Sequence, residues 1–296
     1  MTGIPNSSSL ALASKVKDYF QLIKFTLSFT VVFSCVVCYL LAPNINFDFF
    51  SVLILFIAGL LITGSANAIN QAVEKDTDAL MKRTASRPVA SGRMTVNEAL
   101  TFAIIAGFGG IMIMWFWFNF LSAFISLLSL FLYGFVYTPL KKINSISVLV
   151  GALPGALPCL IGWTAGTNQL NEGGWVLFAI LFLWQFPHFW AIAWVAHKDY
   201  EKAGFKLLPG VGGPTKFTAL QTVVYSMLMI PVGMLPYYFH ISGILSFWIL
   251  LCCNLGMVFM SVLLLIRMNV NAARRVMFSS YFYLMIVFLS LLFDKG

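Results

Sequence analysis

Four oxygen-bearing side chains recur at helical intervals where a long apolar stretch ends. At spacings of three, four and four residues, they are Asn67, Asn70, Glu74 and Asp78. Steps of about 100° per residue place these positions on one face of a helix. Carboxamide and carboxylate oxygens one turn apart suit Mg²⁺, which takes oxygen ligands and keeps places for water and substrate phosphate. The plainer alternative is a helix end that emerges into water, with its carboxylates solvated.

Cations follow this stripe closely. Between Asn67 and Arg93 they are Lys75, Lys82, Arg83, Arg87 and Arg93. Guanidinium and ammonium groups beside metal-binding carboxylates are the groups that a diphosphate needs. Because Asn67 and Asn70 still lie in apolar sequence, where polar side chains are costly, a functional site is favoured over a solvated helix end. The predicted metal ligands are Asn70, Glu74 and Asp78, and the predicted diphosphate ligands are Lys82, Arg83 and Arg87.

A second polar loop, residues 197–216, also combines acids, bases and a turn rich in proline and glycine. Asp199 follows an apolar stretch and is predicted as a further metal ligand, whereas Glu201 can equally be solvated. The similarity of RPVASG at 87–92 to LPGVGG at 208–213 suggests a weak internal repeat. Repeats in membrane proteins place binding sites at their interface, so we expect the two loops to act together.

The stretch YTPLKK, residues 137–142, lies between these two loops in the sequence. Its Lys141 and Lys142 are predicted contacts for the same phosphate groups. As cations at a membrane surface, they equally fit an ordinary role in setting topology.

A histidine lies deep in the sixth apolar stretch, within LWQFPHFWAIAW at 183–194. Eleven residues separate His188 from Asp199, about 16 Å in a continuous helix, and the two positions share a helical face. A histidine in lipid needs a partner or a cavity. Two interpretations stay open. The ring hydrogen-bonds a neighbouring group, such as the carbonyl that Pro187 leaves unpaired, or it binds a substrate or cofactor.

The composition is that of an integral membrane protein. Of the 296 residues, 60% are hydrophobic and only 9% are charged, with a mean hydropathy of +0.90, whereas soluble domains carry about 25% charged residues. The five cysteines lie in apolar stretches without the spacing of a zinc site, so they indicate no redox compartment. The polar segments are too short to form a sizeable soluble domain.

Hydropathy predicts an all-α polytopic membrane protein with nine transmembrane helices in a bundle. Residues 1–24 are predicted as a cytoplasmic tail with an interfacial helix. Residues 25–293 are predicted as the nine-helix domain, with catalytic cytoplasmic loops at 73–96 and 197–216. The predicted spans are 25–42, 50–72, 97–117, 120–138, 146–165, 174–196, 217–237, 243–265 and 276–293. The third and fourth are divided only at Trp117–Asn119, because the combined apolar run is too long for one helix.

The cations predict the orientation of these spans. All but one of the 18 lysine and arginine side chains lie in the N-terminal segment or in even-numbered connections, the exception being Lys295. By the positive-inside rule, the N-terminus is expected to be cytoplasmic and, after nine spans, the C-terminus outside. Topology and anionic lipid then explain the formal net charge of +8, which needs no nucleic-acid partner.

Both acidic motifs resemble those of the UbiA-type intramembrane prenyltransferases, over about residues 15–290 and in matching order. The first motif is Asn70, Glu74, Asp78, Lys82-Arg83-Thr84 and Arg87-Pro88, and the second is Asp199-Tyr200, Ala203-Gly204 and Leu208-Pro209. The nine predicted spans agree with that family. The chain departs from it at Phe25, where proline is frequent, and at Glu74, where aspartate is frequent. The second motif has a single acid, Asp199, where relatives often have two adjacent acids. The way in which a second Mg²⁺ would be held is therefore left open by the motif.

Three stretches further resemble one branch of this family: WQFPHFW at 184–190, YTPLKK at 137–142 and GALPGALP at 151–158. That branch implies transfer of a farnesyl group from farnesyl diphosphate to the vinyl group of protohaem IX, with release of diphosphate. It implies Mg²⁺ as the cofactor, and His188 as the residue that orients the haem. The implied metal ligands are Asn70, Glu74, Asp78 and Asp199, and the implied diphosphate ligands are Lys82, Arg83, Arg87, Lys141 and Lys142.

The same resemblance implies a multi-pass protein of the bacterial cytoplasmic (inner) membrane, with its active site facing the cytoplasm. Its surroundings would be the lipid bilayer, with haem A synthase or oxidase assembly factors as candidate protein partners. Two alternatives are kept. One is a relative that prenylates a quinone or chlorophyll precursor, and the other, from a different class, is a secondary transporter with inverted repeats.

Overall fold

The computed structural model describes residues 7–210 and 212–296, and residues 1–6 of the predicted tail lie outside this description. Within these ranges the regular secondary structure is helical, apart from an isolated β-bridge between Ser242 and Lys295, and loops connect the helices. The described helices are α1 (Ser7–Leu22), α2 (Phe25–Leu41), α3 (Phe49–Val73), α4 (Lys75–Leu80), α5 (Val96–Phe118), α6 (Phe120–Leu140), α7 (Ser147–Thr167), α8 (Glu172–Val195), α9 (His197–Lys202), α10 (Lys216–Tyr238), α11 (Ile244–Arg267) and α12 (Val270–Phe293).

Eight of these helices are long and apolar enough to cross a membrane individually: α3, α5, α6, α7, α8, α10, α11 and α12. Residues Ser14–Leu22 of α1 pass the same test together with α2, to which they are bent by 49°. The bend lies at Lys24, whose backbone has a left-handed φ of 48°. The predicted all-α polytopic fold is therefore confirmed, with up to nine spans in the described part of the chain.

The predicted break between the third and fourth spans falls at Asn119. Helix α5 widens into a π-helical turn over Met114–Phe118 and ends there, because Asn119 adopts an extended backbone. The Asn119 side chain accepts a hydrogen bond from the backbone N–H of Ser122 (2.8 Å), which caps α6, and donates one to the carbonyl of Thr164 on α7 (2.7 Å). Asn119 thus marks the end of α5, caps the start of α6 and connects this junction to α7.

The last span begins earlier than predicted. The sequence indicated a start at residue 276, because Arg274 and Arg275 looked like loop residues, but α12 begins at Val270. Asn269 caps it by accepting a hydrogen bond from the backbone N–H of Ala272 (2.9 Å). Both arginines are exposed on the first turns, where long cationic side chains can extend toward the membrane surface.

Helices α2 and α7 approach each other backbone to backbone at Gly162. A Cβ atom at this position would overlap the carbonyl oxygen of Cys35. Small residues commonly allow such close packing between membrane helices, because dispersion contacts rather than the hydrophobic effect drive their association. This contact holds α2 against α7 along the wall of an internal cavity.

Residues Asp294 and Lys295, after the end of α12, join the ends of other helices. The Asp294 carboxylate accepts a hydrogen bond from the backbone N–H of Ser246 in the first turn of α11 (2.6 Å). The Lys295 ammonium donates to three carbonyl oxygens at the end of α2 and just after it, those of Leu40 (2.8 Å), Ala42 (2.9 Å) and Ile45 (3.2 Å). The clasp formed by Asp294 and Lys295 therefore closes the bundle between its last and first spans.

We predict that Gly162→Ala destabilises the protein, because the added methyl group meets backbone that cannot rotate away. Overpacking of this kind typically lowers the free energy of unfolding by about 1–3 kcal/mol. The control is Gly256→Ala in α11, where a Cβ would meet nothing within 4 Å, and where alanine should be neutral or stabilising. Thermal unfolding of the purified variants in detergent measures the difference, and equal midpoints would contradict the prediction.

Candidate active site

The predicted stripe of polar residues lies across the junction of α3 and α4. Helix α3 ends at Val73 and α4 begins at Lys75, but two backbone bonds continue the helical register through Glu74. The N–H of Glu74 donates to the carbonyl of Asn70 (2.9 Å), and the N–H of Asp78 donates to that of Glu74 (2.7 Å). All four residues of the stripe are buried: Asn67, Asn70, Glu74 and Asp78. The alternative of a solvated helix end is therefore wrong.

The two asparagines attach the stripe to the start of α2. Asn67 donates to the carbonyl of Ile23 and to the hydroxyl of Ser28, both at 3.1 Å. The amide oxygen of Asn70 accepts a hydrogen bond from the ammonium of Lys24 (2.9 Å). The Asn70 nitrogen lies 3.5 Å from the hydroxyl of Thr138, at the end of α6. The polar groups that looked costly in the sequence are thus paired across three helices.

Lys24 is a site residue that the sequence reasoning missed. In the sequence, Lys24 is one of the N-terminal cations that predict the orientation of the spans. In the structure, its ammonium group contacts Asn70 within the stripe. Its left-handed backbone at the bend between α1 and α2 directs the side chain inward. The available signal was its position, directly before an apolar span, rather than in the interior of a polar loop.

Two cations face the two acids. Lys141 Nζ lies 2.7 Å from Glu74 Oε1, as an ion pair without hydrogen-bond geometry, and Arg87 donates to Asp78 Oδ2 (2.6 Å). Glu74 Oε1 is therefore paired with the Lys141 ammonium, whereas Asp78 Oδ1 is buried and has no hydrogen-bond donor among the described residues. A buried carboxylate oxygen without a donor is costly, so Asp78 Oδ1 is suited to accept a further positive group.

These donors fit a divalent cation that prefers oxygen. Two carboxylate oxygens one helical turn apart, with the amide oxygen of Asn70 beside them, leave room for water or phosphate as further ligands. Within residues 7–210 and 212–296, no group of three or more acidic, histidine or cysteine side chains converges as a metal site. Asp199 therefore does not complete a cluster with Glu74 and Asp78 in this structure.

The second loop nevertheless packs over the first. Tyr200, in α9, accepts a hydrogen bond from Arg83 (2.8 Å), and the N–H of Lys206 donates to the carbonyl of Lys141 (2.8 Å). The ring of Phe205 lies 5.6 Å from the Lys141 ammonium. Asp199 lies in this second loop and is partly exposed. Its carboxylate accepts no hydrogen bond from another described residue.

The five predicted phosphate contacts fall into three groups. Arg87 and Lys141 contact the buried acids directly. Arg83 is exposed and pairs with Tyr200. Lys82 and Lys142 are exposed, and neither has a salt bridge or side-chain hydrogen bond within the described residues. The structure therefore brings two of the five to the acids, together with Lys24.

An apolar cavity lies beside the stripe. Seven helices line it: α2, α3, α5, α6, α7, α8 and α12. Along α3 the lining runs from Asn67 to Leu55, about 18 Å at 1.5 Å per residue. Tyr133 and Tyr137 of α6 also line it, and Lys141 lies 4.7 Å from the Tyr137 ring centre. The charged site and the cavity thus share a border at Asn67 and Tyr137.

His188 lines the same cavity from α8 and is buried. Its Nδ1 lies 2.7 Å from the hydroxyl oxygen of Ser280 on α12. The hydrogen bond to a neighbouring helix, one of the two predicted interpretations, is therefore present, with Ser280 rather than the carbonyl freed by Pro187 as partner. Its Nε2 has no hydrogen-bond partner among the described residues, so ligand binding remains open to it.

The predicted shared face of His188 and Asp199 assumed one continuous helix. The structure breaks that helix at Ala196, between the end of α8 at Val195 and the start of α9 at His197. The backbone of Ala196 leaves the helical region, with φ of −97° and ψ of 15°. As at Glu74, backbone bonds continue through this residue, from the N–H of Ala196 to the carbonyl of Ile192 (2.9 Å) and from the N–H of Tyr200 to that of Ala196 (3.1 Å). The shared face of His188 and Asp199 stays a prediction.

Fold and site together define a polytopic membrane protein with a metal-competent, cation-rich site at the border of an apolar cavity. The chain belongs to the UbiA prenyltransferase family, whose model matches residues 31–290. This confirms the resemblance of the two acidic motifs and excludes the secondary-transporter alternative.

Several relatives match over nearly their full length. The chain is 44% identical to the protoheme IX farnesyltransferase of Cytophaga hutchinsonii, over 96% of this chain and 99% of that protein. It is 40% identical to the protoheme IX farnesyltransferase of Flavobacterium johnsoniae, over 97% of each.

Solved structures share the fold at lower identity. Digeranylgeranylglyceryl phosphate synthase aligns with a TM-score of 0.79 at 22% identity, over 95% of this chain and 98% of that one. A UbiA homologue from Archaeoglobus fulgidus, bound to GPP and Mg²⁺, aligns with a TM-score of 0.67 at 15% identity, over 93% and 99%.

We predict that Arg87→Ala destabilises the protein, because it leaves the Asp78 carboxylate, only 1% exposed, without its cation. Breaking a buried ion pair at one partner should lower the free energy of unfolding by about 3 kcal/mol. Lys82→Ala, in the same loop and exposed, is the control and should change it by less than about 0.5 kcal/mol. Thermal unfolding without ligands is the measurement. Adding Asp78→Asn to Arg87→Ala should restore part of the loss, and a wild-type midpoint for Arg87→Ala would refute the role of this pair.

Proposed function

We propose that this protein transfers a farnesyl group from farnesyl diphosphate to the vinyl group of protohaem IX, forming hydroxyethylfarnesyl haem (haem O) and diphosphate. The observation that carries the proposal is the pair of buried carboxylates of Glu74 and Asp78, with the donor-free Oδ1 of Asp78, beside a deep apolar cavity. Such a pair suits a metal–diphosphate head, and the cavity suits an isoprenoid tail. The names of the relatives supply the acceptor, protohaem IX.

Asn70, Glu74 and Asp78 would hold Mg²⁺, with Asp199 of the second loop as a further ligand when that loop closes on substrate. Bound there, the metal would neutralise charge on the diphosphate and orient it. Lys24, Arg87 and Lys141 would face the same oxygens. Exposed Lys82, Arg83 and Lys142 are proposed as outer contacts that attract the diphosphate and reach it as the loops close.

The charge balance of this site favours such a substrate. Its two buried acids pair with Arg87 and Lys141, and Lys24 lies beside them against Asn70, which leaves one positive charge in excess when Lys24 is protonated. A fully ionised allylic diphosphate with one Mg²⁺ carries a net single negative charge, so its binding would bring the site to neutrality. Near-neutral assemblies are the ones that an environment of low dielectric tolerates.

In the reaction, the bond between C1 of the farnesyl chain and the bridging diphosphate oxygen breaks, and the electron pair stays on the diphosphate. The three cations stabilise that developing charge, and positioning accounts for much of the remaining rate. Tyr133, Tyr137 and Trp184 line the cavity and can stabilise the allylic cation through their ring faces. The vinyl carbon of haem then attacks the cation, and water adds to the resulting carbocation and loses a proton.

His188 is proposed to orient the haem, as an axial ligand through Nε2. It contacts none of the charged residues of the diphosphate site, and its described polar partner is Ser280. Acceptor and leaving group would therefore be held by different helices. This separation lets a flat apolar acceptor enter the cavity while the diphosphate stays at its polar border.

We further propose that the site faces the cytoplasm of a bacterial inner membrane. The supporting observation is the distribution of lysine and arginine, since the loops that build the site carry most of them. Haem A synthase or oxidase assembly factors would then be candidate partners that deliver haem or receive the product.

The central experiment incubates the purified protein with protohaem IX, farnesyl diphosphate and Mg²⁺ and weighs the haem. We expect a mass gain of one farnesyl group and one hydroxyl group. Glu74→Gln and Asp78→Asn should each lower kcat by about 100-fold or more and weaken Mg²⁺-dependent binding of farnesyl diphosphate. Asp76→Asn, an exposed acid of the same helix, should behave like wild type. Unmodified haem would refute the proposal, and equal losses in all three variants would refute the assigned ligands.

We predict that His188→Ala abolishes haem farnesylation but leaves farnesyl diphosphate affinity within about twofold, because the ring contacts none of the charged residues. His240→Asn, at an exposed position, is the control. Binding is measured with labelled farnesyl diphosphate, and turnover with haem and, separately, with an aromatic quinone precursor. Preserved haem turnover would remove the role of His188. Turnover of the quinone precursor without that of haem would favour the alternative acceptor.

A further inference from the structure

The ring of His188 is held in one orientation by contacts from two helices. Its Nδ1 lies 2.7 Å from Ser280 Oγ. The indole of Trp184 stacks on it, with ring centres 4.5 Å apart and planes inclined by 16°. Tyr281 meets it edge-on, with centres 5.0 Å apart. A hydrogen bond at one nitrogen together with ring contacts restricts both translation and rotation of the imidazole.

The hydrogen bonds of Ser280 decide where the imidazole proton is. Ser280 Oγ lies 2.6 Å from the carbonyl oxygen of Met277, and a carbonyl can only accept. A hydroxyl has a single proton, so Ser280 donates it to Met277. The contact with His188 must then run the other way, with Nδ1–H as donor and Ser280 Oγ as acceptor.

The other nitrogen of the ring follows from this assignment. A neutral imidazole has one protonated nitrogen, so Nε2 carries a free lone pair. His188 lines the cavity, and Nε2 has no hydrogen-bond partner among the described residues. We propose that Ser280 is a positioning residue that holds His188 in its Nδ1–H tautomer, so that Nε2 coordinates the iron of the haem acceptor. This inference rests on the proposed function.

Ser280 is itself fixed by the residue that stacks on the histidine. The indole N–H of Trp184 donates to the backbone carbonyl of Ser280 (2.8 Å). Helices α8 and α12 are therefore linked by two hydrogen bonds at this residue, one through its hydroxyl and one through its carbonyl. Histidines that bind metals generally donate their second ring N–H to a carboxylate, a backbone carbonyl or water, which fixes the tautomer and raises the basicity of the ligand. Here the Ser280 hydroxyl takes the place of that acceptor.

The arrangement assigns a specificity role to α12. A free lone pair on a histidine that lines the cavity favours an acceptor that contains a metal, whereas a quinone precursor offers no metal for it to coordinate. Replacing Ser280 by alanine removes the hydroxyl but keeps the carbonyl that binds Trp184. That variant therefore tests the tautomer with little change to the packing of the two helices.

The test titrates ferric protohaem into the purified protein without farnesyl diphosphate and records absorption spectra, then resonance Raman spectra after reduction. We expect wild type to show histidine-ligated haem, and His188→Ala to lose this signature. Ser280→Ala should weaken haem affinity about 10-fold or more and lower the iron–histidine stretching frequency, because the ligand loses its hydrogen bond. Ser280→Thr, which keeps a hydroxyl, should restore both.

The matched control is Ser290→Ala on the same helix. Ser290 is buried and its hydroxyl also donates to a carbonyl three residues earlier, that of Val287 (2.9 Å), but it has no histidine partner. It should leave haem affinity and spectra unchanged. Wild-type affinity and frequency in Ser280→Ala would overturn the inference, as would a haem spectrum that His188→Ala leaves unaltered.

Two further results separate the possible failures. If Ser280→Ala does not fold, the wild-type frequency decides, since a value typical of imidazole without a hydrogen bond overturns the inference. If wild type farnesylates haem but shows no histidine ligation, only this inference fails. If it does not farnesylate haem, the proposed function fails first.

Discussion

Burial of charge within a membrane protein is the constraint on which this structure depends. Glu74 and Asp78 lie almost wholly out of contact with water, where an unpaired carboxylate is strongly unfavourable. Their cations come from the loop after α4 and the end of α6, and a third cation, at the bend before α2, binds the neighbouring Asn70. Folding of the site therefore needs all three parts in place. The residual positive charge and the donor-free Oδ1 of Asp78 are the two features that a bound metal–diphosphate would satisfy.

The structure separates two tasks by helix. The ends of α2, α3 and α6 carry the charged residues, whereas α8 and α12 carry the imidazole and its hydroxyl partner. The cavity connects these groups, since its lining includes residues of all five helices. In such an arrangement, the acceptor can change through substitutions in α8 and α12 without disturbing the charged ends. This offers a physical reason why one fold can serve prenyltransferases with different acceptors.

Much of this architecture was predictable, because apolar length and helical spacing are local properties of a sequence. The spans, the buried stripe and the placement of His188 in the membrane follow from them. Contacts between distant segments do not follow from these local properties. Lys24 looked like a topological charge until its bend brought it to Asn70, and Ser280 had no distinguishing pattern. Spacing also did not reveal that Ala196 separates α8 from α9. Lys82 and Lys142 belong to charged motifs, yet spacing does not tell which cations of a motif turn inward.

The clasp at Lys295 has a consequence for how the chain is made. An ammonium group has three donors, and here all three serve carbonyls at or just after the end of α2. Those carbonyls are synthesised well before their partner, since 255, 253 and 250 positions separate Leu40, Ala42 and Ile45 from Lys295. Until then the end of α2 must rely on water, lipid headgroups or the insertion machinery for its hydrogen bonds. The bundle can therefore reach this closure only after residue 295 has been synthesised and has left the ribosome.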